Sequence, residues 1–340
     1  MRVSPFDGSA AEWDAFVRHQ PDWTHFHLAG WRDVIAQVFG HACPYLAARD
    51  DAGTIVGVLP LVEVRSIVFG SYLVSMPFLN YGGPLGTPAA VEALIEAAER
   101  LARDSKVGLL QLRARGALPT TMTAGLQKIS VLVDIPEGGP EALWKQLPHK
   151  MRTKVRKPQK EGVTVRWGRD QLGPFHTVLA QNMRDLGTPV HSRRFYEVIA
   201  DTFGESVWFG CAYFNDEVVS GGCGFVWRDE MEITWSSSLR QHVGVRPGYL
   251  LHWSFLERAA QEGLRIGNFG RSTPGSGTHE YKQQWGGRDE QLWWYFRSAT
   301  GATSTPTPQD SNLSWGPRLW RRLPVSVATR LGPMIVRSIP

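Results

Sequence analysis

The sequence has 340 residues, 42% of them hydrophobic and 20% charged, which excludes a disordered chain and leaves room for two domains with a buried core each. A net charge of +5 favours anionic partners, while three cysteines without C-x-x-C spacing exclude a disulfide framework and a cysteine zinc site. The first residues lack the apolar stretch of a signal peptide, and no apolar run reaches the ~18–20 residues of a membrane span, so a cytoplasmic location is expected.

In chain order, the first half opens on a helix predicted from Trp31 to Phe39, then strands at Pro44–Arg49 and Thr54–Val64. A Gly/Pro-rich loop over 77–88 follows. Val91, Leu94, Ile95, Ala98, Leu101 and Ala102 then recur at helical spacing, before strands at Leu109–Leu112 and Ser130–Ile135. The second half repeats the grammar. Phe175, Val178, Leu179 and Leu186 mark one helix and Phe195–Phe203 another. Strands follow at Val207–Phe214, Val218–Trp227 and Glu230–Ser237, with Asn215-Asp216 and Arg228-Asp229 as their turns. A helix over Gly248–Gly263, a strand at Arg265–Phe269, a Gly-rich loop and a strand at Gln291–Phe296 complete the order. Helices, an antiparallel meander, a helix and closing strands are the order of a GNAT domain. The expectation is therefore an α/β (α+β) chain of two tandem GNAT-like domains, each a mixed, largely antiparallel sheet flanked by helices. They are placed at 1–140 and 163–300, with a basic helical connector at 141–162 and a linker and basic amphipathic tail at 301–340.

The connector carries seven cationic residues from Lys145 to Lys160 and no acid between them. Lys150, Lys154 and Lys157 share one helical face, with Arg152 and Arg156 on the next, so the helix could hold a phosphate; a merely solvated helix is the competing reading. In the tail, residues 301–312 read as a linker. Beyond Asp310 there is no acid, and Arg318, Arg321, Arg322, Arg330 and Arg337 alternate with Trp315, Leu319, Trp320, Leu323, Leu331 and Ile335. Cations among large apolar side chains suit the inner face of a membrane. Packing against the protein itself is the alternative. Pro317, Pro324 and Pro333 exclude a single long amphipathic helix.

Chemistry concentrates after the predicted strand at Arg265–Phe269. Arg271 and Lys282 can meet phosphate or a developing oxyanion, His279 and Glu280 can take a proton, and the glycines between them let backbone approach a ligand. Gln241-His242-Val243-Gly244-Val245-Arg246-Pro247-Gly248 precedes a helix, as a pyrophosphate-binding loop would, although the Q-x-x-G-x-G/A spacing fails at Arg246. His25 and His27 lack a third ligand and H-E-x-x-H is absent, so no metal is expected.

Several separated segments belong together: Phe78-Leu79-Asn80-Tyr81-Gly82-Gly83-Pro84; Leu147-Pro148-His149-Lys150-Met151-Arg152 with Arg156 and Lys157; Asn182-Met183-Arg184-Asp185-Leu186-Gly187-Thr188-Pro189; Gly244-Val245-Arg246-Pro247; Asn268-Phe269-Gly270-Arg271-Ser272; and Tyr281-Lys282-Gln283-Gln284-Trp285-Gly286. In this order the chain resembles the FemAB-like family, in particular its branch associated with PEP-CTERM/exosortase systems. The resemblance implies two GNAT-like domains and amide formation by direct transfer of an acyl or aminoacyl group. An acyl-CoA or aminoacyl-tRNA would be the cosubstrate, with no tightly bound cofactor, and an amine of a cell-envelope or exopolysaccharide precursor the acceptor. It also implies a site lysine at Lys282, and motif residues Asn80, Tyr81, Tyr281, Lys150, Arg152 and Arg156 for an anionic or lipid-linked sugar substrate. Relatives often carry Asp where this chain has Asn268; if that acid serves as base or charge partner, standard activity is lost. A catalytically degenerate module that binds an anionic glycolipid or a membrane assembly is the competing function.

Overall fold

The structure is a computed structural model describing residues 1–298 and 315–339. The first strands and helices are β1 (Arg2–Pro5), α1 (Ala10–Arg18), α2 (Gly30–Phe39), β2 (Leu46–Arg49), β3 (Ile55–Leu59), β4 (Val62–Ser66), β5 (Gly70–Val74), β6 (Leu85–Gly86), α3 (Pro88–Asp104), β7 (Leu109–Ala114) and β8 (Thr123–Asp134). There follow α4 (Gly139–Gln146), α5 (His149–Lys160), β9 (Thr164–Trp167), α6 (Leu172–Leu186), α7 (Arg193–Phe203), β10 (Val207–Phe214), β11 (Glu217–Trp227) and β12 (Glu230–Ser238). The last are α8 (Pro247–Gln261), β13 (Ile266–Ser272), α9 (Gly277–Gln283), β14 (Arg288–Ser298), α10 (Trp315–Trp320) and α11 (Val325–Val336).

Two compact units emerge. One holds residues 1–128 with the described parts of 291–307 and 335–340; the other holds 129–290 with the described parts of 308–334. These divisions differ from boundaries at 140 and 300, because both fall inside long strands, β8 and β14. Residues 141–162 also do not stand apart as a connector: α4 and α5 pack on α8 within the second unit. Leu143, Leu147, Met151 and Val155, four residues apart, are buried in its core, an apolar stripe that the charge of the segment conceals. The linker expected at 301–312 lies outside the described residues.

In the first unit β1, β2, β3 and β6 form an antiparallel sheet on which α3 lies. β4 pairs antiparallel with β5, β5 parallel with β7, and β7 antiparallel with β14. Leu46, Leu59, Leu73, Leu94, Leu110 and Tyr295 share one core. The strand expected over Thr54–Val64 is two strands, β3 and β4, because Pro60 has no N–H for a ladder.

The second unit has a mixed, mostly antiparallel sheet. β9, β10, β11 and β12 pair antiparallel in turn, β12 pairs parallel with β13, and β13 antiparallel with residues 129–134 of β8. Asn215 and Asp216 both take left-handed conformations in the two-residue turn between β10 and β11, as a hairpin of this twist requires. Successive β11 residues face opposite ways: Gly221 lies against Phe175 of α6 and Gly222 against Phe255 of α8. Helices therefore cover both faces. α10 and α11 close over the end of α6, where Arg184 donates to the Leu323 carbonyl at 2.8 Å and Ala328 and Gly332 turn inward. Pro324 precedes α11, while Pro333 sits inside it without ending it.

Candidate functional site

β12 and β13 pair only from Glu230–Glu232 to Ile266–Asn268, although they run on to Ser238 and Ser272. β12 is bulged at Thr234, where its register against β11 shifts between Cys223 and Gly224. Beyond the last pair a cavity of about 510 Å³ opens at the end of β12. Its floor is Ser236–Ser238 with Asn182 of α6, which donates to Ser237 Oγ at 3.1 Å. α8 enters beside it, pressed so close that a Cβ on Gly248 would lie 2.7 Å from Ser238 Oγ. A larger residue there would have to turn the Ser238 hydroxyl aside.

One turn into α8, His252 Nδ1 lies 2.7 Å from the Gly248 carbonyl, which can only accept. The proton therefore sits on Nδ1, and Nε2, 3.1 Å from Ser236 Oγ, is left as an acceptor on the cavity wall. Tyr281 Oη is 2.9 Å from the same Nδ1. Burial drives the imidazole down to about 4, against the hydrogen bond to Gly248 and with the help of the nearby Lys282 cation. Burial likewise raises the Tyr281 phenol. At neutral pH both groups are uncharged, one an acceptor and the other a donor.

Lys154, Arg240 and Arg246 complete the wall, and no carboxylate lines it. Arg246 takes a left-handed conformation at the N-cap of the fifteen-residue α8, so the positive end of the helix opens on the cavity. Lys157 Nζ holds the preceding loop through the Gly244 carbonyl at 2.7 Å. Cations and a helix N-terminus without a countercharge make an anion-attracting mouth.

The predicted residues distribute unevenly. Tyr281, Arg246 and Gly248 meet at the cavity. Lys282 does not line it: the side chain is 8% exposed, and Nζ donates to the carbonyls of Gly270 and Arg271 at 2.8 Å each. Burial lowers its pKa to about 7, opposed by Glu232 and assisted by Arg271. Arg271 and Glu280 are exposed outside the lining, and Gly244 contributes only its carbonyl to Lys157. His279 spans from the Gly275 amide to Asp289, 3.0 Å away, and so fastens the loop before α9. Arg156 lies over the Trp144 ring at 5.3 Å in a separate cavity of about 440 Å³. Lys150 is exposed and Arg152 half-buried on α5, neither in the lining of the larger cavity. Asn80 and Tyr81 are buried in the first unit, the former accepting from Trp294 Nε1 at 3.2 Å and the latter beneath the Arg115 guanidinium. His252, Ser236 and Arg240 escape the sequence reading, and Asn182 enters it only as the first residue of a motif segment, without a role at the site. A run of three serines at a strand end, followed by Gly-x-x-x-His in a helix, is the signal that could have found them. Among the described residues no three His, Cys, Asp or Glu side chains gather as metal ligands would.

Asn268 has a structural reason to be an amide. Its Nδ2 donates to Glu230 Oε1 at 2.7 Å and Glu232 Oε2 at 3.3 Å, and its Oδ1 accepts from the Gly270 amide at 2.7 Å. All three side chains are buried. Aspartate would bring a third carboxylate and no donor, so Asn268→Asp is expected to cost about 2–3 kcal/mol at pH 7. Part of that should return at acid pH as the cluster protonates; urea unfolding at two pH values measures both.

Comparison with known proteins follows the same division. Residues 146–283 match the sequence family described as "Acetyltransferase (GNAT) domain". No curated protein matches the sequence. Among solved structures, FemX is 14% identical, covers 87% of this chain and 98% of its own, and superposes with a TM-score of 0.66. L-PGS from Bacillus licheniformis is 11% identical over 94% of this chain and 98% of its own, with a TM-score of 0.55. A tandem GNAT protein from the clavulanic acid biosynthesis pathway is 13% identical over 89% and 99%, with a TM-score of 0.56. The fold is the tandem GNAT fold, and the cavity belongs to the segment that the acetyltransferase family matches.

Proposed function

We propose, from the tandem GNAT fold and the motif resemblance to FemAB-like acyltransferases, that this chain forms an amide by direct transfer of an acyl or aminoacyl group, at the cavity between β12 and α8. The observation that carries the reading is an uncharged His252 whose Nε2 accepts beside Ser236, in a cavity with three cations and no carboxylate. An amine nitrogen attacks the carbonyl carbon of the donor ester or thioester, and a C–N bond forms. Its proton passes by way of the Ser236 hydroxyl to His252 Nε2. The tetrahedral oxyanion collapses, the bond to the leaving oxygen or sulfur breaks, and Tyr281 protonates that atom. Nδ1 of His252 returns a proton to Tyr281, which leaves a neutral imidazole with its proton on Nε2; loss of that proton to solvent and reprotonation of Nδ1 against the Gly248 carbonyl restore the starting tautomer before the next turnover. No covalent intermediate is required.

Both donor classes, an acyl-CoA and an aminoacyl-tRNA, carry phosphates that Lys154, Arg240, Arg246 and the α8 N-terminus would hold. The acceptor we propose, on the motif resemblance, is an amine of a cell-envelope or exopolysaccharide precursor. A lipid-linked acceptor would bring the protein to a membrane face.

Titration calorimetry with CoA and with aminoacyl-tRNA tests the donor site. Lys154→Ala should weaken the bound donor by about 1–2 kcal/mol, the loss of one charge-assisted contact, at an unchanged melting temperature. Arg156→Ala should leave binding as it was, because its guanidinium faces the other cavity. A reversed pattern would move the donor to the Trp144 side. Tight donor binding without turnover in any assay would favour the degenerate binding module.

A further inference from the structure

The second face of the tail helices has no part in the reaction. α11 buries Ala328 and Gly332, and Gly332 approaches so closely that a Cβ there would lie 2.8 Å from the Val190 carbonyl. The opposite stripe is Val327, Arg330, Leu331 and Met334, spaced three and four residues apart, with Leu331 43% and Met334 70% exposed. Beside it α10 exposes Leu319 at 53%, and Leu186 at the end of α6 is also exposed. Arg321 donates to the Leu186 carbonyl at 3.2 Å, which joins the tail to that helix end.

The helices are therefore anchored on one side and apolar on the other. Around the exposed side stand Arg318, Arg321, Arg322 and Arg330, and from residue 311 onward the sequence holds no acid. A face made to meet another folded protein would carry both signs of charge. The tail brings cations alone to this surface, around protruding aliphatic and thioether side chains, and Asp185 beside Leu186 is already paired with Arg184 at 2.7 Å.

We propose that this surface docks on an anionic lipid bilayer, with Leu319, Leu331 and Met334 entering the acyl boundary and the arginines meeting headgroup phosphates. No helix of the described residues is long and apolar enough to cross a membrane, so docking would be to one face. The inference is independent of the transferase reading, since none of these residues lines the cavity.

Flotation of the full chain with vesicles tests it. The protein should float with vesicles of phosphatidylcholine and phosphatidylglycerol, fail to float with phosphatidylcholine alone, and detach as salt rises. Leu331→Asp with Met334→Asp, and separately Arg322→Glu with Arg330→Glu, should each weaken flotation at least about tenfold without moving the melting temperature, as expected when two membrane-facing groups are lost. All four side chains are exposed, so folding is not at risk. Equal binding to both vesicle types, or flotation unaffected by either pair of changes, overturns the proposal. So does a dimer in light scattering that Leu331→Asp dissociates, because the face would then be covered by a second copy.

Discussion

Turnover of the His252→Asn variant is expected to fall about 10²–10⁴-fold, the range for removal of a positioned acid–base group. The amide can keep the hydrogen bond to the Gly248 carbonyl that now fixes Nδ1. It cannot take a proton from the attacking amine. Donor binding should survive, since the cations and the α8 N-terminus are untouched, so the loss should fall on kcat. The pH signature has a definite sign. The folded imidazole sits at about 4, below the 6.5 of the unfolded chain, so the native state binds fewer protons. Its contribution to stability is present above 6.5 and is lost as pH falls towards 4. The wild-type protein should weaken over that window more than His252→Asn does, and thermal melting at pH 7 and pH 4.5 reads the difference.

Lys282→Met is expected to lower stability by about 3 kcal/mol, because the buried Gly270 carbonyl and the part-buried Arg271 carbonyl lose their donor and the buried Glu232 loses a neighbouring cation. A neutral amine has two N–H groups, and the carbonyls of Gly270 and Arg271 take both. The pKa near 7 lies below the ordinary 10.5, so between these values the folded chain holds fewer protons than the unfolded one. Stability should accordingly rise from pH 7 to pH 10, and the methionine variant should lack that rise. Turnover should drop too, since α9 carries Tyr281 immediately before the lysine. Urea unfolding separates this from a direct role at the oxyanion. A variant of wild-type stability with a 10²–10³-fold loss of turnover would mean that Nζ reaches the transition state.

Much of the second unit is legible in the sequence. Its meander is announced by alternating apolar runs and by two-residue turns at Asn215-Asp216 and Arg228-Asp229, and the observed strands Val207–Phe214, Glu217–Trp227 and Glu230–Ser238 follow them closely. These are local signals. Where charge or composition dominates, the reading fails. The cations of residues 145–160 hide the Leu143, Leu147, Met151 and Val155 stripe, so a piece of core reads as a connector. The glycines and serines after β13 read as a loop and conceal α9, whose N-cap Ser276 accepts from the His279 amide at 3.2 Å.

The site divides in the same way. Tyr281, Arg246 and Gly248 stand out as motif residues next to a helix start. His252 does not, because its role depends on where β12 and β13 cease to pair, a long-range fact that no window of sequence contains. In an amphipathic helix a lone histidine reads as part of a face. Only the Gly248 carbonyl, Ser236 and Tyr281, brought from three elements, give its two nitrogens different duties.

The most direct test is transfer itself. The purified full chain is incubated with labelled acyl-CoA or labelled aminoacyl-tRNA and the amine-bearing small molecules of a cell extract, with and without ribonuclease, beside His252→Asn. The wild-type protein should move label into an amide stable to hydroxylamine, from a donor that ribonuclease sensitivity identifies, and the variant should move almost none at an unchanged melting temperature. Equal incorporation by the variant, or no transfer from either donor class, would contradict amide formation at the β12–α8 cavity.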